Sequence, residues 1–475
     1  MIFLLIQNKI PLNPLYKKII IQKKFNNHKY FKFLHFHDKL NFMEAIFNPV
    51  VISVIVLCIL CLRKVNVLLA IFISSIVAGL CAKMPISEIM NNFISGMGGN
   101  SETALSYILL GAFAATMTHS GLEKVLSNKI STIIKGNVYI LIGILTCMAI
   151  FSQNLIPVHI AFIPIIIPPL INTMNALKID RRLVACALAF GLKTPYIVLP
   201  TGFGLIFQGL LADNITQNGL EIAKSDIWKS TWFLGVAMLL GFAWAMFISY
   251  KKPREYADVS ISLTQNEQDT KITKEHYLIL LAAAATFIVQ LWTKSLPLGA
   301  LVGLGVIFGT GAINYQKMDK VINEGIGLMG YVAFVMLVAA GFAAVLKSTG
   351  GIDTFVNAIL PFMTSKIIAS LLMLMIGLFI TIGIGSSFGT IPILAVLFVP
   401  ICIKLGFSIP ATVIVLAAAA ALGDAGSPAS DTTLGPTAGL NIDGQHNHIT
   451  DTCIPTFLHY NIPLIIFALL ATIIF

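Results

Sequence analysis

Two carboxylates, Asp424 and Asp431, stand seven residues apart in the run Gly423-Asp-Ala-Gly-Ser-Pro-Ala-Ser-Asp-Thr-Thr433. The run interrupts strongly apolar text, and a charge at the centre of a bilayer costs roughly 2.5–3.5 kcal/mol unless it faces a cavity or a partner. Ser427, Ser430, Thr432 and Thr433 add hydroxyl oxygens around the turn at Pro428. Hard oxygens of this kind suit a hard cation, so the run predicts a site for Na+ or a proton, with Asp424 and Asp431 as the charged ligands. Seven-residue spacing would place both acids on one helical face, yet Gly426 and Pro428 stand between them. The competing reading has both acids capping helix ends near the membrane interface.

Three further breaks share this character. Phe151-Ser-Gln-Asn-Leu-Ile-Pro157 brings Ser152, Gln153, Asn154 and Pro157, and Gly191-Leu-Lys-Thr-Pro195 brings Lys193, Thr194 and Pro195. Gly383-Ile-Gly-Ser-Ser-Phe-Gly-Thr390 brings Ser386, Ser387 and Thr390. Proline removes a helix donor and glycine costs about 1 kcal/mol relative to alanine, so none of these continues easily as regular helix. Unwound backbone at membrane depth needs cover from protein or a wet cavity, and its freed carbonyls can hold a cation. Lys193 either pairs with Asp424 or Asp431, binds a substrate carboxylate, or extends its ammonium to an interface. Glu102 and His119 bracket one apolar run and read as interfacial, and His159 reads as a hydrogen-bonded core histidine before a proton carrier.

These residues must be positioned by membrane helices. Of 475 residues, 57% are hydrophobic and 11% charged, and the mean hydropathy is +0.88. Soluble domains carry about 25% charged residues, so a soluble globule, solvated disorder and a coiled coil are all excluded. Apolar runs that can cross about 30 Å of hydrocarbon occupy 46–62, 66–82, 104–118, 137–151, 183–199, 231–249, 277–291, 297–313, 328–346, 367–384, 409–423 and 455–475. Two Pro-bearing runs, 155–171 and 391–406, either cross or turn back. The fold class is therefore an all-α polytopic membrane protein of roughly 12–14 transmembrane or re-entrant helices.

The net charge of +10 is concentrated in residues 1–42, where eight Lys face one acid. The rest holds 23 basic and 20 acidic residues with no basic stripe interleaved with aromatics, so no nucleic-acid partner is expected. The seven Cys lie almost entirely in apolar text and read as small hydrophobes. Asp443, His446, His448, Asp451 and Cys453 match no standard zinc spacing and read as an ordered loop. No metalloprotease, Walker A or nucleophile-elbow motif occurs, so the chain is not expected to be an enzyme or to need a cofactor beyond a coupling ion, Na+ or H+.

Basic loops mark the inner side of the membrane. Arg63-Lys64, the loop with Lys124, Lys129 and Lys135, the Lys178/Arg181/Arg182 turn and Lys251-Lys252-Pro253-Arg254 all qualify, and acidic 213–228 falls outside. The basic tail conflicts with the resulting orientation of the first span. Residues 1–42 are thus expected to be a basic extension ahead of Met43, a dispensable leader or mis-assigned start. The remaining organisation is a first half at 43–249, a cytoplasmic linker at 250–276 and a second half at 277–475.

The halves repeat. Gly111-Ala-Phe-Ala-Ala before Gly121 matches Gly341-Phe-Ala-Ala before Gly351, Ser152-Gln-Asn154 falls over Gly385-Ser-Ser387, and Phe190-Gly-Leu-Lys-Thr-Pro195 falls over Gly423-Asp-Ala-Gly-Ser-Pro428. Parity gives the two copies opposite orientation. An inverted repeat with paired breaks is the plan of a secondary transporter, with its site near the midplane where the breaks meet.

The text Gly423-Asp-Ala-Gly-Ser-Pro-Ala-Ser-Asp-Thr-Thr-Leu-Gly-Pro-Thr437, together with Ser152-Gln-Asn-Leu-Ile-Pro-Val-His-Ile-Ala-Phe162, resembles the NhaC-like Na+/H+ antiporter family of the ion transporter superfamily. The likeness runs from about Met43 to Phe475 and is greatest to a bacterial branch described as amino-acid transporters, some linked to histidine uptake. It implies an elevator-type fold with re-entrant hairpins and broken helices, a scaffold that often forms a homodimer, and a multi-pass place in the bacterial inner membrane among its lipids. The family label favours Na+ exchanged for protons, whereas the nearest branch favours a small-molecule substrate, an amino acid, moved with a cation.

Overall fold

A computed structural model describes residues 47–63, 65–122, 125, 137–154, 159–257, 272–360, 363–428 and 430–475. The basic extension, the loop with Lys124, Lys129 and Lys135, Pro157 and most of the linker lie outside the described residues, as do the side chains of Asn154 and His159.

All described regular structure is helical. The first half runs α1 (Pro49–Leu62), α2 (Val67–Cys81), α3 (Ile86–Met97), α4 (Ser101–Ser120), α5 (Val138–Asn154), α6 (His159–Ala176), α7 (Arg181–Val198), α8 (Phe203–Gln217) and α9 (Trp228–Trp244). The second runs α10 (Lys274–Thr293), α11 (Leu296–Gly309), α12 (Met318–Ser348), α13 (Gly351–Ile359), α14 (Lys366–Ile384), α15 (Ser387–Lys404), α16 (Ile409–Ala421), α17 (Asp431–Leu440) and α18 (Ile454–Ile474). Among the described residues five helical stretches are each long and apolar enough to cross a membrane, and α7 with α8, bent by 48° at residues 199–202, makes a sixth. Six shorter apolar helices accompany them.

The apolar runs locate most of these helices but miss four. Helix α3 is amphipathic and buries Ile89 and Phe93 while its polar face stays out. Helix α8 carries Gln208, Asp213 and Asn214, α13 is only nine residues long, and α17 contains Pro436. None of these presents an unbroken apolar run.

Contacts between the halves fix their relative direction. His119 at the end of α4 pairs with Glu324 near the start of α12 at 2.6 Å, whereas Asn100, just before α4, donates to the Met336 carbonyl midway along α12 at 3.0 Å. The two helices are therefore antiparallel. They cross closely, since a side chain on Gly325 would overlap the backbone of Ala112 and Gly111. Likewise Arg181, at the start of α7, meets Leu440 and Asp443 at the end of α17, while Tyr196 near the end of α7 reaches Asp424 just after α16. The pair α7/α8 thus runs opposite to α16/α17, and the inverted repeat is realised. Its first glycine correspondence shifts by one: the left-handed partner of Gly121 (φ 72) is Gly350 (φ 64), not Gly351.

Within the second copy α14 and α15 form a hairpin. Helix α15 returns to the side where α14 began, since Lys366 Nζ donates to the Gly406 carbonyl at 2.6 Å. Its tip at Gly385–Ser387 meets Asp424, which follows a helix of only 13 residues. Such a helix rises about 20 Å, short of the ~30 Å hydrocarbon thickness, so the tip is buried at membrane depth. Helix α15, which carries most of the run 391–406, is itself one of the five stretches long and apolar enough to cross, and it lies antiparallel to α14 as the second arm of a hairpin.

Candidate functional site

Asp180 starts α7 by accepting from the Arg182 N–H, and near the other end Lys193 and Tyr196, three residues apart, share one helical face. Leu199 then turns extended and ends the helix. The second copy stops in the same manner: Leu422 is extended (ψ 140) after Ala421, and Gly423 takes φ 80, open to glycine without the Cβ penalty. The chain so released carries Asp424 inward.

Asp424 is 3% exposed. Ser387 donates to Oδ2 at 2.7 Å and Tyr196 to the same oxygen at 2.9 Å. Ser430 donates to Oδ1 at 2.5 Å. Lys193 is wholly buried, its Nζ standing 3.8 Å from Asp424 Oδ2 and donating to the Ala421 carbonyl. Helix ends complement these charges. The N-termini of α15 and α17, capped by Ser386 and Ser430, adjoin the carboxylate, and the C-terminal carbonyl of α16 takes the ammonium, the favourable sense at each end.

Beside Asp424 lies a cavity of about 470 Å³ whose wall includes Gln153, Ser386, Asp431 and Thr432. Gln153 is buried and its Oε1 has no hydrogen-bond partner among the described residues. Tyr107, Tyr196, Phe203 and Phe388 give it an aromatic wall, with ring centroids 5.0–6.1 Å apart in the contacts made by Phe388. Residues from both halves build one pocket with a charged floor and an aromatic wall.

The sequence-predicted residues divide by position. Lys193, Ser387, Asp424 and Ser430 form the polar centre, and Gln153, Ser386, Asp431 and Thr432 join them at the cavity. Asp431 opens α17 and is exposed, so the two acids do not share a helical face: the break turns one inward and leaves the other at the surface of the cavity. The rest support the backbone. Ser152 bonds the Ala149 carbonyl, Thr390 that of Ser387, Ser427 that of Ile382 and Thr433 that of Ser427. Pro428 offers its carbonyl to His448 Nε2, Pro195 lies within α7, and Thr194 Oγ1 is buried with no hydrogen-bond partner among the described residues. Tyr196 and Tyr107 are the residues that sequence reasoning missed. Position alone, one turn beyond Lys193, could have pointed to Tyr196.

The loop read as ordered carries a charged junction, buried at Arg181 and Asp443 and partly exposed at Arg254. Arg181 makes two hydrogen bonds to Asp443, at 2.6 and 2.5 Å, and Arg254 bonds Asp451 at 2.9 Å. Among the described residues no group of three or more His, Cys, Asp or Glu is arranged to hold a metal ion. All seven Cys are free thiols.

Models of two families match the chain, one described as "Na+/H+ antiporter family" over residues 187–470 and one as "Na+-H+ antiporter family" over 48–134. A Vibrio parahaemolyticus protein named "Uncharacterized membrane protein VP2115" is 47% identical over 440 residues, covering 90% of this chain and all of that one. A Bacillus subtilis protein named "Putative amino acid transporter YuiF" is 44% identical over 443 residues, covering 90% and 100%. Among solved structures, the Alcanivorax borkumensis YdaH transporter aligns with a TM-score of 0.56 at 13% identity, over 82% of this chain and 88% of that one. Neisseria gonorrhoeae MtrF aligns with a TM-score of 0.51 at 16% identity, over 82% and 84%. At such identities these two likenesses concern the fold.

Proposed function

The chain belongs to the Na+/H+ antiporter family of membrane transporters, and from that premise we propose that it is a secondary carrier of amino acids in a bacterial inner membrane, coupled to Na+ or H+ at Asp424. The observation that carries this reading is the joint geometry of Asp424 and its cavity. A buried carboxylate with three hydroxyl donors and an ammonium at 3.8 Å is a place where a cation and a lysine compete for one negative charge. A Na+ ion or a proton on Asp424 would release Lys193 from that charge and alter the stability of the packed breaks. An ion alone needs little room, yet the adjoining space is about 470 Å³, within the roughly 300–1,000 Å³ of small-molecule sites.

Coupling then requires that ion and solute each prefer one state of the carrier over the other. Asp424 supplies the ion's preference, and Gln153, Asp431 and the aromatic wall supply polar and apolar contacts for a solute. The name of the Bacillus relative supports an amino acid as that solute.

Reconstituted vesicles with an imposed Na+ or pH gradient test the reading with a panel of labelled amino acids. Gradient-driven uptake is expected for the native protein, and background flux for Asp424→Asn at equal protein content. Undiminished uptake by that variant would remove Asp424 from the mechanism. Na+/H+ exchange without amino-acid flux in the native protein would replace the solute reading with simple exchange.

A further inference from the structure

Helix α16 closes with the Leu422 N–H on the Ala418 carbonyl at 2.7 Å. The carbonyls beyond that bond have no partner within the helix, and other elements supply them. Thr381 of α14 donates to the Ala419 carbonyl at 3.2 Å, and Lys193 of α7 donates to that of Ala421. Gly423, Asp424 and Ala425 follow, all three buried, where a backbone group left without a partner is costly.

Asn461 of α18 meets two of those groups. Its Oδ1 accepts from the Gly423 N–H at 3.3 Å and its Nδ2 donates to the Ala425 carbonyl at 2.9 Å, so one amide bridges the backbone on both sides of Asp424. The residue is wholly buried. A carboxamide carries the acceptor and the donor that this bridge needs, whereas an ionised aspartate of the same shape has no donor for Ala425. The adjacent Tyr460 is equally buried, but its hydroxyl goes to the Cys186 carbonyl on α7, at 2.5 Å.

On its other side the Asp424 carboxylate takes hydroxyl bonds from three separate elements: Tyr196 on α7, Ser387 at the start of α15 and Ser430 ahead of α17. Hydrogen bonds weaken steeply as their angles open, so the three form together only at one setting of the Asp424 backbone. Gly423, at φ 80, has a glycine's freedom to leave that setting. From these contacts we infer that Asn461 is a positioning residue for the cation site, setting the Asp424 carboxylate against its hydroxyls by bridging Gly423 and Ala425. Asn461 is not among the described residues that line the cavity, so it acts through Asp424 rather than on the ion or the solute. This inference rests on the reading of Asp424 as the coupling group.

Dicyclohexylcarbodiimide adds to protonated carboxyl groups in apolar surroundings, and so reads the proton occupancy of Asp424 with no solute present. In the full-length protein in nanodiscs, the adduct on the peptide bearing Asp424 is quantified by mass across pH 5–9, with Asp424→Asn as the blank and a melting temperature for every sample. Asn461→Leu removes both arms of the bridge, and Asn461→Ser, smaller and polar, reads the same contact where leucine does not fold. Hydroxyl bonds favour the charged carboxylate, so each variant should move the pH of half-maximal reaction upward by about one unit or more, a tenfold change in proton affinity. Tyr460→Phe should lower the melting temperature and leave that pH in place, because it loosens α18 from α7 alone. A native pH profile in the Asn461 variants, with only the melting temperature lowered, would make Asn461 a structural contact and overturn the inference, as would an equal shift in Tyr460→Phe. Gradient-driven uptake by native vesicles separates this result from the reading beneath it. A shifted profile without native uptake keeps the role of Asn461 and removes the transport reading, whereas uptake with an unshifted profile removes the role and spares transport.

Discussion

Lys193 and Asp424 are both excluded from solvent, so neither charge is stable without the other. Removing one partner of a buried pair costs about 3–5 kcal/mol, whereas replacing both with apolar groups is often neutral. Lys193→Met alone should therefore lower thermal stability in detergent markedly, and Lys193→Met with Asp424→Leu should regain most of that loss while remaining inactive in transport. Equal destabilisation by the single and double variants would show that the pair has no energetic coupling. Tyr196→Phe tests the hydroxyls more gently. Hydrogen bonds to a charged group contribute about 1.5–3 kcal/mol, so the variant should keep its fold and shift the half-saturating Na+ or H+ concentration by about tenfold or more. An unshifted value would place the Tyr196 hydroxyl outside the cation site. The acids and the lysine were legible in the sequence because a charge in apolar text is costly and demands a reason. Tyr196 and Tyr107 were not, since an aromatic residue in a hydrophobic helix has the same appearance whether its hydroxyl bonds a carboxylate or merely packs. Ser427, Thr390 and Thr433 show the converse: hydroxyls around a broken helix satisfy freed carbonyls as readily as they bind an ion.

At the scale of elements, the site exists because helices end where they do. The turn after α16 passes through Gly423 (φ 80) and Gly426 (φ 102). A Cβ on Gly426 would lie 2.5 Å from Phe457 Cβ and 2.9 Å from its Cα, in addition to a left-handed backbone cost of roughly 1–2 kcal/mol. Gly426→Ala should therefore shift the turn that carries Asp424, lowering both melting temperature and cation affinity. Gly143, within α5 and with open space at its Cβ position, is the control, and its alanine variant should behave as the native protein does. Comparable losses at both positions would mean that the turn geometry is not what matters. Glycine and proline made these breaks legible, as did their near-constant offset between halves. The helix beyond one of them was less so: α8 follows its break with Gln208 and Asp213 among apolar residues, and hydropathy alone does not separate a membrane-depth helix from a loop.

The whole molecule is joined, on the side that the charge rule places inside, by charges drawn from both copies and from the linker. Arg181 opens the broken helix of the first half and Asp443 follows that of the second, while Arg254 of the linker bonds Asp451. Burial pushes the Asp443 carboxyl up, but its hydrogen bonds from Arg181 and Gln445 outweigh this and hold it below the usual carboxylate value. A carboxylate depressed in the folded state contributes stability above its unfolded value, near 4, and that contribution is lost as pH falls through the depressed one. His446 behaves differently. Burial lowers it to about 4, against about 6.5 when unfolded, so between those values the unfolded chain binds the extra proton and stability falls with falling pH. Acid unfolding of the native protein should thus begin near pH 6.5 and steepen below about 4. His446→Asn should flatten the first part alone. Asp443→Asn should lower the melting temperature at pH 7 by stripping the wholly buried Arg181 of its counter-charge, and should weaken the acid fall below pH 4. Melting curves collected in nanodiscs across pH 3–8 decide the matter: superimposable pH profiles for the native protein and the two variants would show that this junction does not hold the halves together, and the anchoring of the inverted copies would then have to reside in the close crossing of α4 with α12.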